Sequence, residues 1–440
     1  MAEKIVLFLS RMGAEVTCTF PNGNSVLANQ SNEGPVRYLL QEHPDISEII
    51  CLVTKDSALE YFQTAFESPS LRLTTIPFDV GGEELIGTPL REVLSHLRPE
   101  DKIYLETTGG TRDVIMFFLL LTRILSYQGI APAGATYGAV IEKGKSVVKD
   151  VDHLNAMFDL VGGMQELTSF GSVRTLRKYY GAPAKDARIE RLLKSAENLM
   201  ETIALCRTEQ MDGRLKRFNE AVAEAEACDD VLLTQLLPVF RKKFWDGRDM
   251  TMPGLIQWCL NSDMIQQALT IYKEKMPGYL LSQSPLLEWK QRGALNASEE
   301  EKRKERNQSR EEALFRKYFL SLERKYARMK AGQFDGAYQS DFLAIRCSTE
   351  QISVVAKDYL YIRALQNMVN HADDRAEGES QKEAEHYLTD CLNSQGRRYK
   401  RLSEVTTRDV KQIVRDALEN LKPRADKPGK RSQKRKKGAK

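Results

Sequence analysis

The chain has 440 residues, of which 42% are hydrophobic and 29% charged, so it is long enough for two or three globular domains. The last twenty residues hold ten Lys/Arg and one Asp, whereas residues 1–420 carry 55 basic and 60 acidic side chains. The formal net charge of +4 therefore hides a mildly acidic body and a basic tail, which excludes a uniformly basic surface.

Cysteine spacing and hydropathy exclude further classes of protein. The seven cysteines are scattered without a CxxC pair, which argues against a zinc site or disulfide framework and fits a reducing cytoplasm. The longest apolar run, residues 114–121, is far shorter than the roughly 20 residues that a membrane span requires. Since no signal peptide opens the chain, we expect a cytoplasmic protein that contacts no membrane.

Residues 1–160 alternate between strand and helix patterns. Continuous apolar runs are typical of parallel strands buried on both faces, and helices between them indicate a doubly wound, Rossmann-like α/β domain. We predict strands at residues 5–9, 49–53, 73–78 and 103–105, helices at residues 34–41, 85–97 and 113–128, and a hairpin over residues 135–151 with its turn at residues 143–145.

Three polar turns follow these strands, and in such sheets ligands bind beyond the carboxyl ends of the strands. Two adjacent glycines in the last turn let the backbone approach a ligand closely, and the next helix offers free N–H groups to a phosphate. The alternative is a strand-to-helix turn with a capping threonine and no ligand. The turns are Ser10-Arg11-Met12-Gly13, Thr54-Lys55 and Thr108-Gly109-Gly110-Thr111-Arg112.

Beyond residue 160 the patterns are helical, with no further strands. We predict a helical connector at residues 161–290, a helical effector domain at residues 291–422 and a disordered basic tail at residues 423–440. The charged segment at residues 291–310 is a solvated helix or a linker, and we interpret it as a linker. The helices are expected at residues 171–180, 188–227, 230–244, 255–275, 311–330, 352–369, 380–394 and 407–421.

One of the five histidines stands in a distinctive context. No HExxH motif, paired His/Cys spacing or carboxylate cluster offers a metal site, and no GxSxG or P-loop motif is present. Asn367 and His371 are four residues apart and share one helix face, with Gln366 beside them. A histidine among amides suits acid–base work on a phosphodiester, and the alternative is a surface histidine at a helix C-terminus.

Taken together, these features resemble the CRISPR-associated proteins that join an N-terminal CARF domain to a C-terminal HEPN domain. The resemblance rests on the turn at residues 10–13, the turn at residues 108–112, the connecting segment at residues 158–180 and the segment at residues 365–372. The order of these segments within one architecture is more specific than the glycine turn alone.

The resemblance implies an antiviral sensor. A CARF domain is a Rossmann-like unit that dimerises and binds a cyclic oligoadenylate across the two-fold axis, which makes the turns at Ser10 to Gly13 and Thr108 to Arg112 the ligand floor. A HEPN domain is a metal-independent endoribonuclease that cleaves single-stranded RNA as a dimer and is activated allosterically by the ligand. We therefore expect a homodimer or higher oligomer that requires no cofactor.

The chain departs from the HEPN pattern at one residue. Asn367 and His371 match, but Gln366 stands at the arginine position, and a neutral amide cannot make the charge-assisted phosphate contact of arginine. Arg375 could compensate, and Arg363, about 12 Å from His371 along a helix, less readily. Alternatives are a messenger sensor or scaffold without nuclease activity, a CARF domain that degrades the messenger, and a regulator that binds nucleic acid through the basic tail.

Overall fold

The structure, a computed structural model, describes residues 2–79, 87–110, 112–130, 132–245, 249–289, 295–305, 310–315, 317, 343–370 and 400–422. The chain divides into two compact units, Met1–Val161 and Gly162–Lys440, each with its own packing. The described part of the chain contains no helix long and apolar enough to cross a membrane.

The first unit is built on an eight-stranded mixed sheet in the order β3-β2-β8-β7-β6-β1-β4-β5. Strand β1 lies in the interior of the sheet and pairs in parallel with β4 on one side and with β6 on the other. The predicted α/β architecture is confirmed for this unit. The strands are β1 (Glu3–Phe8), β2 (Met12–Thr19), β3 (Ser25–Gln30), β4 (Ile46–Val53), β5 (Arg72–Pro77), β6 (Lys102–Glu106), β7 (Pro132–Glu142) and β8 (Lys145–Asp150).

Helices cover both faces of this sheet, which explains the continuous apolar runs of its central strands. One face of β1, with Val6 and Phe8, packs in the same core as Val114 and Phe117 of α4. The other face, with Ile5 and Leu7, packs with side chains of α1 and α2. The helices of this unit are α1 (Glu33–Glu42), α2 (Leu59–Ala65), α3 (Gly87–Ser95) and α4 (Arg112–Tyr127).

The β2–β3 hairpin corrects one prediction. Met12 and Gly13 were expected in a polar turn, but β2 begins at Met12 and runs antiparallel to β3. Most of β2 is exposed, so it lacks the continuous apolar run that marks a buried strand. The β7–β8 hairpin is confirmed, and Gly144 at its turn takes a φ of +78° that favours glycine.

The second unit is mainly helical. Helix α5 crosses the boundary between the units, and the helices after it belong to the second unit. The helices are α5 (Asp152–Phe170), α6 (Arg174–Tyr180), α7 (Ala187–Ala204), α8 (Thr208–Ala225), α9 (Val231–Trp245), α10 (Met252–Asn261), α11 (Ile265–Ser282), α12 (Ala297–Glu305), α13 (Arg310–Phe315), α14 (Thr349–Asn370) and α15 (Thr407–Asn420).

Three predictions for this unit were wrong in detail. The long helices expected at residues 188–227 and 255–275 are each two helices, because Cys206 and Asp263 take left-handed backbone angles, with φ of 49° and 60°. Two three-residue strands, β9 (Leu287–Trp289) and β10 (Leu343–Ile345), pair antiparallel where no strand was expected. They are too short to show an alternating pattern.

Other predictions for this unit are tested only in part. The charged segment at residues 291–310 contains helix α12, which fits the solvated helix better than the linker that we favoured. The helix expected at residues 380–394 and the tail at residues 423–440 lie outside the described residues, as do residues 316 and 318–330 of the helix expected at residues 311–330.

Candidate functional site

Three turns meet at the carboxyl edge of the central strands. In the register of the sheet Phe8 lies opposite Leu52 of β4, and Leu7 lies opposite Glu106 of β6, so the three strands end at nearly the same level. We call the residues that follow them, 9–11, 54–57 and 107–110, the rim. The strand order reverses at β1, which is where open α/β sheets form a ligand-binding crevice.

Hydrogen bonds join the turn after β1 to the turn after β4. The Ser57 hydroxyl donates to the Leu9 carbonyl at 2.7 Å, and the Ala58 N–H donates to the Ser10 carbonyl at 3.0 Å. The Thr54 N–H in turn donates to the Ser57 hydroxyl oxygen at 2.9 Å. Ser10 and Thr54, two of the predicted ligand-binding residues, therefore belong to one connected surface.

The glycine turn packs directly on the end of β1. A Cβ atom at Gly109 would lie 2.2 Å from the Phe8 carbonyl oxygen, so only glycine fits this position. Gly110 follows with a φ of +105°, a conformation that side-chain-bearing residues rarely adopt, and α4 begins two residues later. The turn is thus shaped by close backbone contact on one side and by the start of a long helix on the other.

The threonines of this turn have a structural role that the sequence did not reveal. Thr107 donates to the Thr136 carbonyl of β7 from both its N–H and its hydroxyl, each at 2.9 Å. The Thr108 hydroxyl oxygen accepts from the Gly138 N–H at 2.7 Å. These hydroxyls therefore anchor the glycine turn to β7.

A buried polar network supports the rim from below, and sequence reasoning missed three of its members, Gln30, Asn32 and Glu106. The Asn32 side-chain amide donates to the Phe8 carbonyl at 3.0 Å and to the Glu106 carboxylate, while its oxygen accepts from the Ser10 N–H at 2.9 Å. Gln30 donates to the Ser10 hydroxyl oxygen at 2.7 Å. An asparagine before a predicted helix was the available signal, but it indicates a cap, and Asn32 makes no side-chain capping bond to α1.

Glu106 is the ionisable member of this network. Its carboxylate accepts from the Thr108 N–H at 2.8 Å as well as from Asn32. Burial raises the pKa of Glu106 to about 7, and the hydrogen bonds from Thr108 and Asn32 partly oppose that rise. The rim therefore rests on a carboxyl group that titrates near neutral pH.

Six further residues were predicted to bind the ligand. Arg11, Met12, Gly13 and Lys55 are exposed, the middle two at the start of β2. Arg112 is the first residue of α4, and Thr111 lies outside the described residues.

The second predicted site lies at the end of α14. Gln366 is 4% exposed rather than open to solvent, and Asn367 is half-buried. Arg363 lies 4.0 Å from the buried carboxylate of Glu312. His371 and Arg375 lie outside the described residues.

A lysine of α11 contacts this segment, and sequence reasoning missed it. The Lys273 ammonium donates to the Gln366 side-chain oxygen at 3.1 Å and to the Asn367 side-chain oxygen at 3.4 Å. Lys273 and Gln366 are 93 positions apart in the chain, so no local sequence pattern links them. The contact places a positive charge beside Gln366 and Asn367.

The fold and these contacts define an α/β unit with a strand-end rim and a mainly helical unit. Neither a protein-family model nor a curated protein matches the chain.

Proposed function

We propose that the rim binds the phosphates of a cyclic oligoadenylate in a homodimer, and that binding activates a HEPN-type endoribonuclease in the second unit. The observation that carries this proposal is the Gly109-Gly110 turn, which packs on the end of β1 at the start of the 16-residue helix α4. The N-terminus of a helix presents unpaired N–H groups and the positive end of its dipole.

The rim also has the composition that a cyclic phosphodiester requires. Ser10 and Thr54 bring hydroxyl groups, and the exposed Arg11 and Lys55 bring positive charge at the same edge of the sheet. Charge-assisted hydrogen bonds of this kind are the stronger contacts to phosphate. Residues 1–420 carry more acidic than basic side chains, so we assign the attraction for phosphate to these rim residues rather than to the overall charge of the chain.

The apolar surface of α4 supports the homodimer. Ile115 and Met116 are 54% and 63% exposed, and Leu120 lies one turn further along the helix and is also exposed. Together they form an apolar stripe on the helix that begins at the rim. A second copy packed on this stripe would bring two rims to one two-fold axis, which suits a symmetric ring.

The proposed chemistry is metal-independent cleavage of single-stranded RNA. The ribose 2′-oxygen attacks the adjacent phosphorus, the bond from phosphorus to the 5′-oxygen breaks, and the products carry a 2′,3′-cyclic phosphate and a 5′-hydroxyl. His371, which follows α14 in the sequence, is assigned the proton transfer from the 2′-oxygen to the 5′-oxygen. Asn367 is assigned to the phosphate.

A specific observation favours a second candidate function. Gln366 is buried and also donates to the Thr270 hydroxyl oxygen at 3.5 Å, so this side chain serves helix packing. In a sensor or scaffold that binds the messenger without cleaving RNA, residue 366 would need only this packing role.

Calorimetric titration with cyclic tetra-adenylate and cyclic hexa-adenylate tests the sensor. We expect one of the rings to bind, Arg11→Gln to weaken binding, and Arg98→Gln to leave it unchanged, because Arg98 is an exposed residue before the opposite end of β6. Absence of binding by either ring would exclude the sensor.

RNA cleavage with and without the ring tests the nuclease. The wild-type chain should cleave a labelled single-stranded RNA only with the ring present, and His371→Ala should not cleave it. Ring binding without cleavage would select the scaffold, and loss of the ring itself over time would indicate a messenger-degrading rim.

A further inference from the structure

Lys273 is a feature of the second site that neither the motif nor its spacing indicates. Its side chain is 20% exposed, and its ammonium contacts the amide oxygens of both Gln366 and Asn367. The Lys273 ammonium also pairs with the Glu274 carboxylate at 3.6 Å, a distance longer than either amide contact. The α11 backbone at Lys273 is held in turn, because the Tyr359 hydroxyl of α14 donates to the Lys273 carbonyl at 3.0 Å.

We propose that Lys273 supplies the positive charge that contacts the RNA phosphate, in place of an arginine at residue 366. The inference rests on the proposed ribonuclease function and names a residue of that same site. Lys273 is a catalytic residue in this proposal, while Gln366 is a positioning residue that holds the lysine by its side-chain oxygen.

The charge and the geometry support this assignment. Gln366 and Asn367 offer no charge, whereas the lysine ammonium lies within hydrogen-bond distance of both and is a point charge suited to phosphate. The site is partly buried, where an ammonium acts on a developing charge more strongly than in water. The negative charge that builds on the non-bridging phosphate oxygens during attack would be stabilised, and Lys273 would transfer no proton.

The same contact explains why glutamine suits residue 366. An arginine there would place a guanidinium beside the Lys273 ammonium in a nearly buried position, where two like charges repel. In this proposal the site needs one positive charge to contact the phosphate, and that charge can come from either α11 or α14. Gln366→Arg alone is therefore expected to destabilise the chain rather than to increase its activity.

Three variants of the full chain test the proposal by the rate of RNA cleavage with the activating ring at saturation. Lys273→Gln should lower the rate by about 10²–10³, the usual cost of losing one transition-state donor. Lys273→Arg should remain within about tenfold of wild type, since it keeps the charge. The double variant Lys273→Gln/Gln366→Arg should recover at least about tenfold over Lys273→Gln, because the charge returns from the other helix.

The matched control is Lys275→Gln, on the same helix. Lys275 is 17% exposed, close to the 20% of Lys273, and pairs with the exposed Asp212 at 2.7 Å. Its loss removes a lysine charge of similar burial that is paired elsewhere, so it should change the cleavage rate by less than about threefold. Urea denaturation of each variant separates loss of charge from loss of folded protein. A structural role for Lys273 would lower stability and leave the rate per folded molecule unchanged.

The outcomes separate the two proposals. An unchanged cleavage rate in Lys273→Gln, or no gain in the double variant, overturns the role of Lys273 and leaves the ribonuclease intact. If the wild-type chain cleaves no RNA with either ring, the proposed ribonuclease function is excluded. The role of Lys273 is then tested by the binding of single-stranded RNA. In that case Lys273→Gln must weaken single-stranded RNA binding and reduce its salt dependence by about one phosphate contact, and an unchanged affinity overturns the inference.

Discussion

The side-chain amide of Asn32 donates a hydrogen bond to the carboxylate of Glu106, and neither residue has any exposed surface. The contact joins the residue before α1 to the last residue of β6, which are 74 positions apart. Because Asn32 also contacts the Phe8 carbonyl and the Ser10 N–H, one buried amide holds the ends of β1 and β6 together. The shape of the rim depends on this pair.

Stability of the first unit should decrease as pH rises from about 5 to 7. Folded Glu106 keeps its proton up to a pKa of about 7, whereas the unfolded group loses it near 4.5, so the unfolded chain binds fewer protons between those values. The free energy of unfolding should fall through that window by at most about 3 kcal/mol. Urea denaturation at several pH values measures this free energy of unfolding. Pulsed hydrogen exchange, read out on peptides from β1 and β6, assigns the change to the first unit.

Glu106→Gln should remove this pH dependence. At pH 5 the variant should be less stable than wild type, because the Thr108 and Asn32 donors contact different oxygens of the carboxyl group, and the amide NH2 that replaces one of these oxygens cannot accept a hydrogen bond. Glu92→Gln, at an exposed position of α3, is the control and should keep the wild-type pH dependence. A Glu106→Gln profile as steep as that of wild type would assign the titration to another group.

Two glycine substitutions should differ sharply. Gly109→Ala places a Cβ 2.2 Å from the Phe8 carbonyl oxygen, so it should cost about 1–3 kcal/mol and disrupt the rim. Gly13→Ala meets only the Asn29 carbonyl oxygen at 3.7 Å, an ordinary contact, and should fold normally. Thermal denaturation compares the two, and equal melting temperatures would contradict the close packing of the glycine turn.

Met116→Glu should separate the proposed homodimer. A charge in the apolar stripe of α4 opposes burial against a second copy, so light scattering should show a monomer, and messenger binding should weaken with it. Leu27→Glu changes an equally apolar exposed residue on β3 and should leave the dimer intact. A dimer that survives Met116→Glu would place the interface elsewhere.

Gln351→Met should destabilise the second unit by about 1–3 kcal/mol, because it removes a buried side-chain donor and its hydrogen bond to a buried carbonyl. The buried Gln351 amide donates to the Asn420 carbonyl at 2.9 Å and to the Lys422 carbonyl at 2.8 Å, and so closes the end of α15. Fluorescence of Trp258, which is buried in α10, reports unfolding in urea. Gln412→Met on the exposed face of α15 should change stability by less than about 0.5 kcal/mol.

The local patterns predicted much of the first unit. The run from Ile5 to Leu9 marked β1 because burial on both faces demands continuous apolar residues, and the hairpin of β7 and β8 followed from its glycine turn. Strand β2 was not predicted because it is largely exposed and lacks a continuous apolar run. The helix ends near Cys206 and Asp263 were not predicted, because neither cysteine nor aspartate is typical of a helix C-terminus as glycine is.

The sequence by itself determined the α/β class of the first unit, the helical character of the second and the position of the glycine turn, because all three depend on residues close together in the chain. Only the tertiary structure decided which side chains meet. Asn32 reaches Glu106, and Lys273 reaches Gln366, across distances in sequence that no periodicity spans. Each contact forms because packing brings two elements together and a buried polar group then requires a partner.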